Sequence, residues 1–145
     1  MSTPLIDWPL DGTHRIEASA GTGKTFALAL LHTRLVVERE LPVRGILAVT
    51  YTIAATQELR ERLRAQLVRA ASLASLDADA LHAATKSGDA AIAITAAVLE
   101  RRLASEPAAG LVARLRRAVG EIDLAPIHTI HAFCQRILAD HALAS

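Results

Sequence analysis

Residues Ala18-Ser19-Ala20-Gly21-Thr22-Gly23-Lys24-Thr25 constrain this chain more than any other stretch of it. They fit the phosphate-binding loop pattern, with alanine where the first glycine usually stands. Each residue type has a chemical reason. Gly21 and Gly23 let backbone N–H groups turn inward around phosphate oxygens, in a concavity that side chains would block. The N-terminus of a following helix adds donors and its dipole. Lys24 would reach the β- and γ-phosphates, and the Thr25 hydroxyl would ligate Mg2+. The chain's own residue frequencies give about 0.003 chance matches to this pattern. The bland alternative is a glycine-rich turn from strand to helix that holds no ligand. The pattern predicts ATP or GTP binding.

The flanks suit such a loop. Arg15-Ile16-Glu17-Ala18 reads as a short strand leading in, and Gly23 to Arg39 reads as a helix. That helix is apolar on nearly every side at its start, through Phe26, Ala27, Leu28, Ala29, Leu30 and Leu31, so it needs cover from a larger core. Ile46-Leu47-Ala48-Val49-Thr50 is a continuous apolar run, the pattern of a buried parallel strand. A second helix is predicted from about Ala54, with Leu59, Leu63 and Leu67 as its buried stripe and Glu58 to Arg62 as a supporting pair. From 73 to 120 the chain turns alanine-rich and helical, broken at Lys86-Ser87-Gly88 and Glu106-Pro107. Ile122-Asp123-Leu124-Ala125 and Ile127-His128 are expected to return to the sheet before a last helix from Ile130 to Leu143. Strand and helix in alternation is the grammar of an α/β fold with a parallel sheet. Two or three strands are too few to cover the first helix, so its apolar surface is expected to drive association.

Composition narrows the class. Thirty alanines and twenty-one leucines among 145 residues favour helix and exclude collagen-like or disordered chains. No apolar run approaches the roughly 18 residues of a membrane span, and Met1-Ser2-Thr3-Pro4 has neither a basic region nor an apolar signal core. Cys134 is the only cysteine, which rules out an internal disulfide and a zinc site built from cysteines. A cytoplasmic location without membrane contact is the expectation. Fourteen of the sixteen basic residues are arginine, and one of the two lysines is Lys24. A lysine kept in a glycine-rich loop suits a role for a compact ammonium on a flexible stem.

Two further segments carry chemistry. Val49 to Arg62 gathers hydroxyls and small residues where a strand meets a helix, the edge at which α/β sheets bind ligands. Exposed amides and hydroxyls there suit a phosphodiester backbone, although Thr52 also reads as a plain helix cap. Arg60, Arg62 and Arg64 read as a solvated helix face before they read as a DNA track. In Thr129-Ile130-His131-Ala132-Phe133-Cys134-Gln135-Arg136, His131 suits a sugar–phosphate and Phe133 a base, and both also suit a core.

Taken together, the three segments resemble the start of a UvrD/Rep-type superfamily 1 DNA helicase, and within it the RecB family, the beta subunits of exodeoxyribonuclease V. The order and spacing of the blocks agree with that family over nearly the whole chain. The resemblance implies a P-loop NTPase, RecA-like core over about 14–70 and 121–145, with a helical insertion over about 73–120. It implies ATP and Mg2+ as cofactors, held by residues Ala18 to Thr25, with Lys24 and Thr25 catalytic. It implies a path for single-stranded DNA past Thr52, Ala54, Thr129 and His131. Double-stranded DNA ends and RecC- and RecD-type subunits are the implied partners, and helicase with exonuclease activity in repair and recombination the implied function. Tyr51 stands where phenylalanine is usual, Ile53 where a polar residue is usual, and no glutamine that would read adenine precedes the loop. The family's acidic Mg2+ motif, arginine finger, second RecA-like domain and nuclease domain match nothing in these 145 residues, which alone are expected to be inactive. A phosphate-loop kinase of another class and a non-catalytic segment that only binds nucleotide or packs are the competing readings. The second and third blocks argue against the kinase.

Overall fold

The computed structural model describes residues 4–17 and 23–144. Within them the alanine- and leucine-rich stretches form six helices: α1 (Gly23–Glu38), α2 (Ile53–Ala74), α3 (Ala78–Ala84), α4 (Ala90–Leu103), α5 (Ala108–Glu121) and α6 (Ile130–Ala144). Short polar residues start four of them, with Thr129 before α6. Thr52 Oγ1 accepts from the Ala55 N–H at 3.0 Å, Asp77 from Ala80 at 2.8 Å, and Asp89 from Ala91 and Ile92 at 2.9 and 3.2 Å. Two strands, β1 (Ala48–Thr50) and β2 (Ile127–Thr129), pair in parallel with Ala48 opposite Ile127 and Thr50 opposite Thr129. Helices α2 to α5 lie between them in sequence, as a parallel pair requires a long crossover. The result is a helix-rich α/β arrangement.

Several elements differ from their sequence signals. Arg15, Ile16 and Glu17 are not in a strand, and Ala18 lies outside the described residues. The alternation in Ile122-Asp123-Leu124 mimics a strand, but the residues form a 3-10 turn. The N–H of Ala125 turns back to the carbonyl of Ile122 at 3.1 Å and so is spent locally. Pairing begins one residue later, where Ala48 N–H reaches the Pro126 carbonyl at 3.0 Å. The apolar run Ile46–Thr50 is likewise shortened, because Ile46 N–H closes a 3-10 turn on Val43.

The core lies between helices. Leu30, Val36 and Val37 of α1 are fully buried with Leu63 and Leu67 of α2, Val98 and Leu99 of α4, and Leu111 and Leu115 of α5. The expected stripe of Leu59, Leu63 and Leu67 faces inward. Helix α1 is therefore covered by α2, α4 and α5, which corrects the expectation that it needs a broad sheet. Beneath that cover His32 is buried, and neither ring nitrogen has a hydrogen-bond partner among the described residues.

Arginines close the carboxyl end of α1. Arg114 donates from Nε and Nη2 to the Val36 and Val37 carbonyls at 2.9 and 2.6 Å, and Nη2 also meets Glu106 at 2.6 Å. The hydrogen bond from Arg114 holds the Glu106 carboxyl below its ordinary range. Buried Arg34 pairs with Glu38 at 2.5 Å and donates to the carbonyls of Leu5 and Trp8, both at 2.8 Å, which fixes the segment before α1 against its last turns. Leu41 N–H bonds the Leu35 carbonyl across Glu40, whose φ of +56° puts a side chain where glycine is favoured.

Candidate functional site

The last three residues of the loop, Gly23 to Thr25, form the opening turn of α1. Gly23 and Lys24 are exposed and Thr25 is half-buried. Among the described residues, no atom lies within 4 Å of where a Cβ on Gly23 would stand. Lys24 has no ion-pair or hydrogen-bond partner among the described residues, and the Thr25 hydroxyl makes no hydrogen bond there. These features fit a phosphate group at the end of a helix, where the first N–H groups lack intrahelical partners. Ala18, Ser19, Ala20, Gly21 and Thr22 lie outside the described residues. A cavity of about 560 Å3 opens beside this turn, between α1, α2 and the start of α4. Glu58 and Arg62 line it and form no ion pair with each other among the described residues, so the expected helix pair is not made. No cluster of His, Cys, Asp or Glu among the described residues is able to hold a metal.

The other two segments meet at one edge of the sheet. Because Thr50 pairs with Thr129, β1 and β2 end level, and each leads at once into a helix. Thr52 caps α2, and Thr129 Oγ1 accepts from Ala132 N–H at 3.1 Å at the start of α6. Each cap uses its hydroxyl as an acceptor and leaves its O–H proton free to donate, and the first amides of both helices have no intrahelical partner. Ala54 and His131 lie exposed in those first turns, and Tyr51 between β1 and α2 is 88% exposed. The four residues singled out from sequence for DNA, Thr52, Ala54, Thr129 and His131, thus share one edge. Phe133 does not join them. It stands two residues from His131, is half-buried, and lines a separate hollow with Leu124 and Ile137.

Two arginines of α2 reach across to another element, Arg60 from a half-buried place and Arg64 from the solvated face. Arg60 donates to the Ile122 carbonyl at 2.9 Å, and Arg64 pairs with Asp123, so both tie α2 to the turn before β2. Their sequence spacing gives no hint of this, because the acceptors lie some sixty residues away.

Comparisons with known proteins fit this geometry. Residues 6–145 match the family described as UvrD/REP helicase N-terminal domain. The RecBCD enzyme subunit RecB of Mycolicibacterium smegmatis is 43% identical over 129 residues, which cover 89% of this chain and 10% of that protein. RecB of Mycobacterium tuberculosis is 40% identical over 94% of the chain and 11% of its own length. RecB of Escherichia coli is 37% identical, also over 94% and 11%. The chain therefore spans about a tenth of the length of the curated relatives it matches. By that match, the chain belongs to the UvrD/REP helicase family.

Proposed function

We propose that this chain is the ATP-binding N-terminal segment of an ATP-dependent DNA helicase and exonuclease subunit of the RecBCD type, acting in double-strand break repair and recombination. The observation that carries the DNA side is the convergence of α2 and α6 on one sheet edge, each started by a capping threonine hydroxyl, Thr52 and Thr129. Free amides, O–H donors and the exposed His131 suit the phosphates of single-stranded DNA, which need many weak contacts and no fixed sequence. The ATP side rests on the loop pattern and on Lys24, which has no partner among the described residues. In this reading residues 18–25 cradle the triphosphate, Lys24 neutralises its β- and γ-oxygens, and Thr25 orients Mg2+. Bound ATP with Mg2+ supplies the energy of phosphoryl transfer. The core over 14–70 and 121–145 is RecA-like, and 73–120 is its helical insertion. RecC- and RecD-type subunits and DNA ends are the partners, by likeness to the proteins named RecB.

Paired titrations with nucleotide and with single-stranded oligonucleotide test this on Lys24→Ala and His131→Ala. Lys24→Ala is expected to lose at least about a hundredfold in ATP affinity while keeping DNA, since charge-assisted contacts to phosphate are the strong ones. His131→Ala is expected to weaken DNA binding and spare ATP, and the affinity for DNA is expected to fall steeply with salt. Loss of DNA with retention of ATP in Lys24→Ala would overturn the division of labour.

A further inference from the structure

Residues 4–17 hold a fixed course without a core of their own. None of them is buried, and their one regular piece is the 3-10 turn Leu5–Asp7. Polar bonds from three arginines hold the segment instead. Arg34 donates to the carbonyls of Leu5 and Trp8 while its Nε pairs with Glu38. Arg101 comes from α4 and donates from Nη1 to Asp7 at 3.0 Å and from Nη2 to the Ile6 carbonyl at 2.6 Å. The same Nη2 lies 3.3 Å from Glu38, so one carboxylate receives both guanidinium groups. Arg39, just past α1, pairs with Asp11.

Arg34 and Arg101 differ in kind. Arg34 is buried within the fold, whereas the Arg101 side chain is 43% exposed and reaches residues 94 and 95 positions away. Helix α4 is already anchored by the buried Val98 and Leu99, so it does not need Arg101 to stay in place. A cavity of about 530 Å3 lies beside the segment, lined by Ile6, Trp8, Leu10, Arg34 and Arg101 among others. Packing leaves this stretch room to shift, and the ionic bonds decide where it rests. The segment runs directly into the phosphate-loop pattern of 18–25. Asp11 is fastened beside the end of α1 and Gly23 stands at its start, so the stretch between them covers on the order of 20 Å. Fully extended, that stretch reaches roughly 40 Å. With so little slack, fixing one end narrows the positions open to the other.

We propose that Arg101 is a positioning residue for nucleotide: from α4 it latches Ile6 and Asp7 to Glu38 and so presets the segment that leads into the phosphate loop, touching no phosphate itself. The inference rests on the ATP-binding reading of residues 18–25. It makes a contact from the alanine-rich helices part of nucleotide affinity, a role that neither the loop pattern nor the family match assigns. A preset lead-in loses less backbone freedom when nucleotide binds, which is where the gain in affinity arises. By reciprocity, bound nucleotide steadies the latch.

The test titrates mant-labelled ADP with Mg2+ into the chain and into Arg101→Gln, Asp7→Ala, the double variant and Glu100→Gln, with thermal melts and amide exchange alongside. Arg101→Gln is expected to weaken ADP binding about three- to tenfold, the scale of a few polar contacts. It is also expected to speed amide exchange over residues 4–14 and to leave the melting temperature within about 2 °C. Asp7→Ala is expected to lose less, and the double variant to match Arg101→Gln alone, because the aspartate acts only through the arginine. Glu100→Gln, one position away on α4 and paired with His82, is expected to bind like the parent. Unchanged ADP affinity or unchanged exchange in Arg101→Gln overturns the inference. So do additive losses in the double variant, an equal loss in Glu100→Gln, or a loss that only follows a lower melting temperature. If the parent chain binds no ADP, the ATP-binding reading falls, and this inference falls with it.

Discussion

Helices α1 and α6 share a similar length and a similar apolar content, and their surroundings could hardly differ more. Eight residues of α1 are buried, among them Leu30, Val36 and Val37 with essentially no exposure. On α6 no residue of described burial is buried, and Leu138 and Leu143 are 69% and 88% exposed. Helix α1 is wrapped by α2, α4 and α5, while α6 touches the two strands alone in any number. Apolar content thus sets how much cover a helix wants, and topology sets whether it gets it. Apart from Leu28, the exposed apolar surface expected on the first helix sits instead on the last one and on the nearby Leu47, Val49 and Leu124.

Truncation is the bluntest way to break this contrast. Leu67→Ala, at a core site of α2 with no exposure, is expected to cost about 2 to 5 kcal/mol. Leu138→Ala on α6 is expected to stay within about 0.5 kcal/mol. Urea melts of both variants give the answer, and equal losses would mean that α6 is held as firmly as α1.

Acid probes the same boundary from within. Burial lowers the His32 imidazole from its ordinary 6.5 to about 4, and no partner offsets the cost of charging it. Above pH 6.5 the ring is neutral in both folded and unfolded chains. Below it the unfolded chain takes up the proton first, so stability falls as pH drops from 6.5 to about 4, by about 3 kcal/mol in all. His32→Leu is expected to flatten that slope. A melt series from pH 7 to pH 4.5 with an unchanged slope in the variant would place the acid sensitivity elsewhere, with Glu106 the next group to examine.

The smallest expected effect lies where α1 ends. Glu40 holds a left-handed backbone that glycine adopts without steric cost, so Glu40→Gly is expected to raise stability by about 0.5 to 1 kcal/mol. The gain is reduced by loss of the ion pair that Glu40 makes with Arg114 at 3.5 Å. A lower melting temperature for the variant would mean that this exposed pair matters more than the backbone.

Sequence made the local features legible. The leucine stripe of α2, the Thr52 cap and the breaks between the alanine-rich helices are all set by neighbours within four residues, and they stand as read. Features that depend on distant carbonyls were not legible. Arg34, Arg60 and Arg114 look like surface charges in the sequence, yet each donates to backbone oxygens many residues away. The 3-10 turn at Ile122 was misread for a related reason, since alternation of apolar residues does not say where an N–H is spent. At the site, residue types and spacing brought Thr52, Ala54, Thr129 and His131 to attention, and only the strand register shows that they lie together. The unpaired His32 carries no pattern that would have flagged it.

The arginine closure of α1 also has a mechanical side. Sixteen residues make a rod about 24 Å long, gripped at its far end by Arg34 and Arg114, with Lys24 at its tip. Packed on its neighbours from Ala27 to Val37, the rod moves as one piece, and a turn of about 3° about the grip moves the tip by about 1 Å. The lever works in both directions, so a pull on Lys24 loads the fulcrum where Arg34 holds the Trp8 carbonyl. Trp8 is the only tryptophan of the chain and lies edge-on to His14, with ring centres 6.0 Å apart. Its emission is therefore a gauge placed at the hinge. A change on adding nucleotide is the expected signal of torque carried along the helix, and an unchanged spectrum at saturating nucleotide would show that the load stops at the tip.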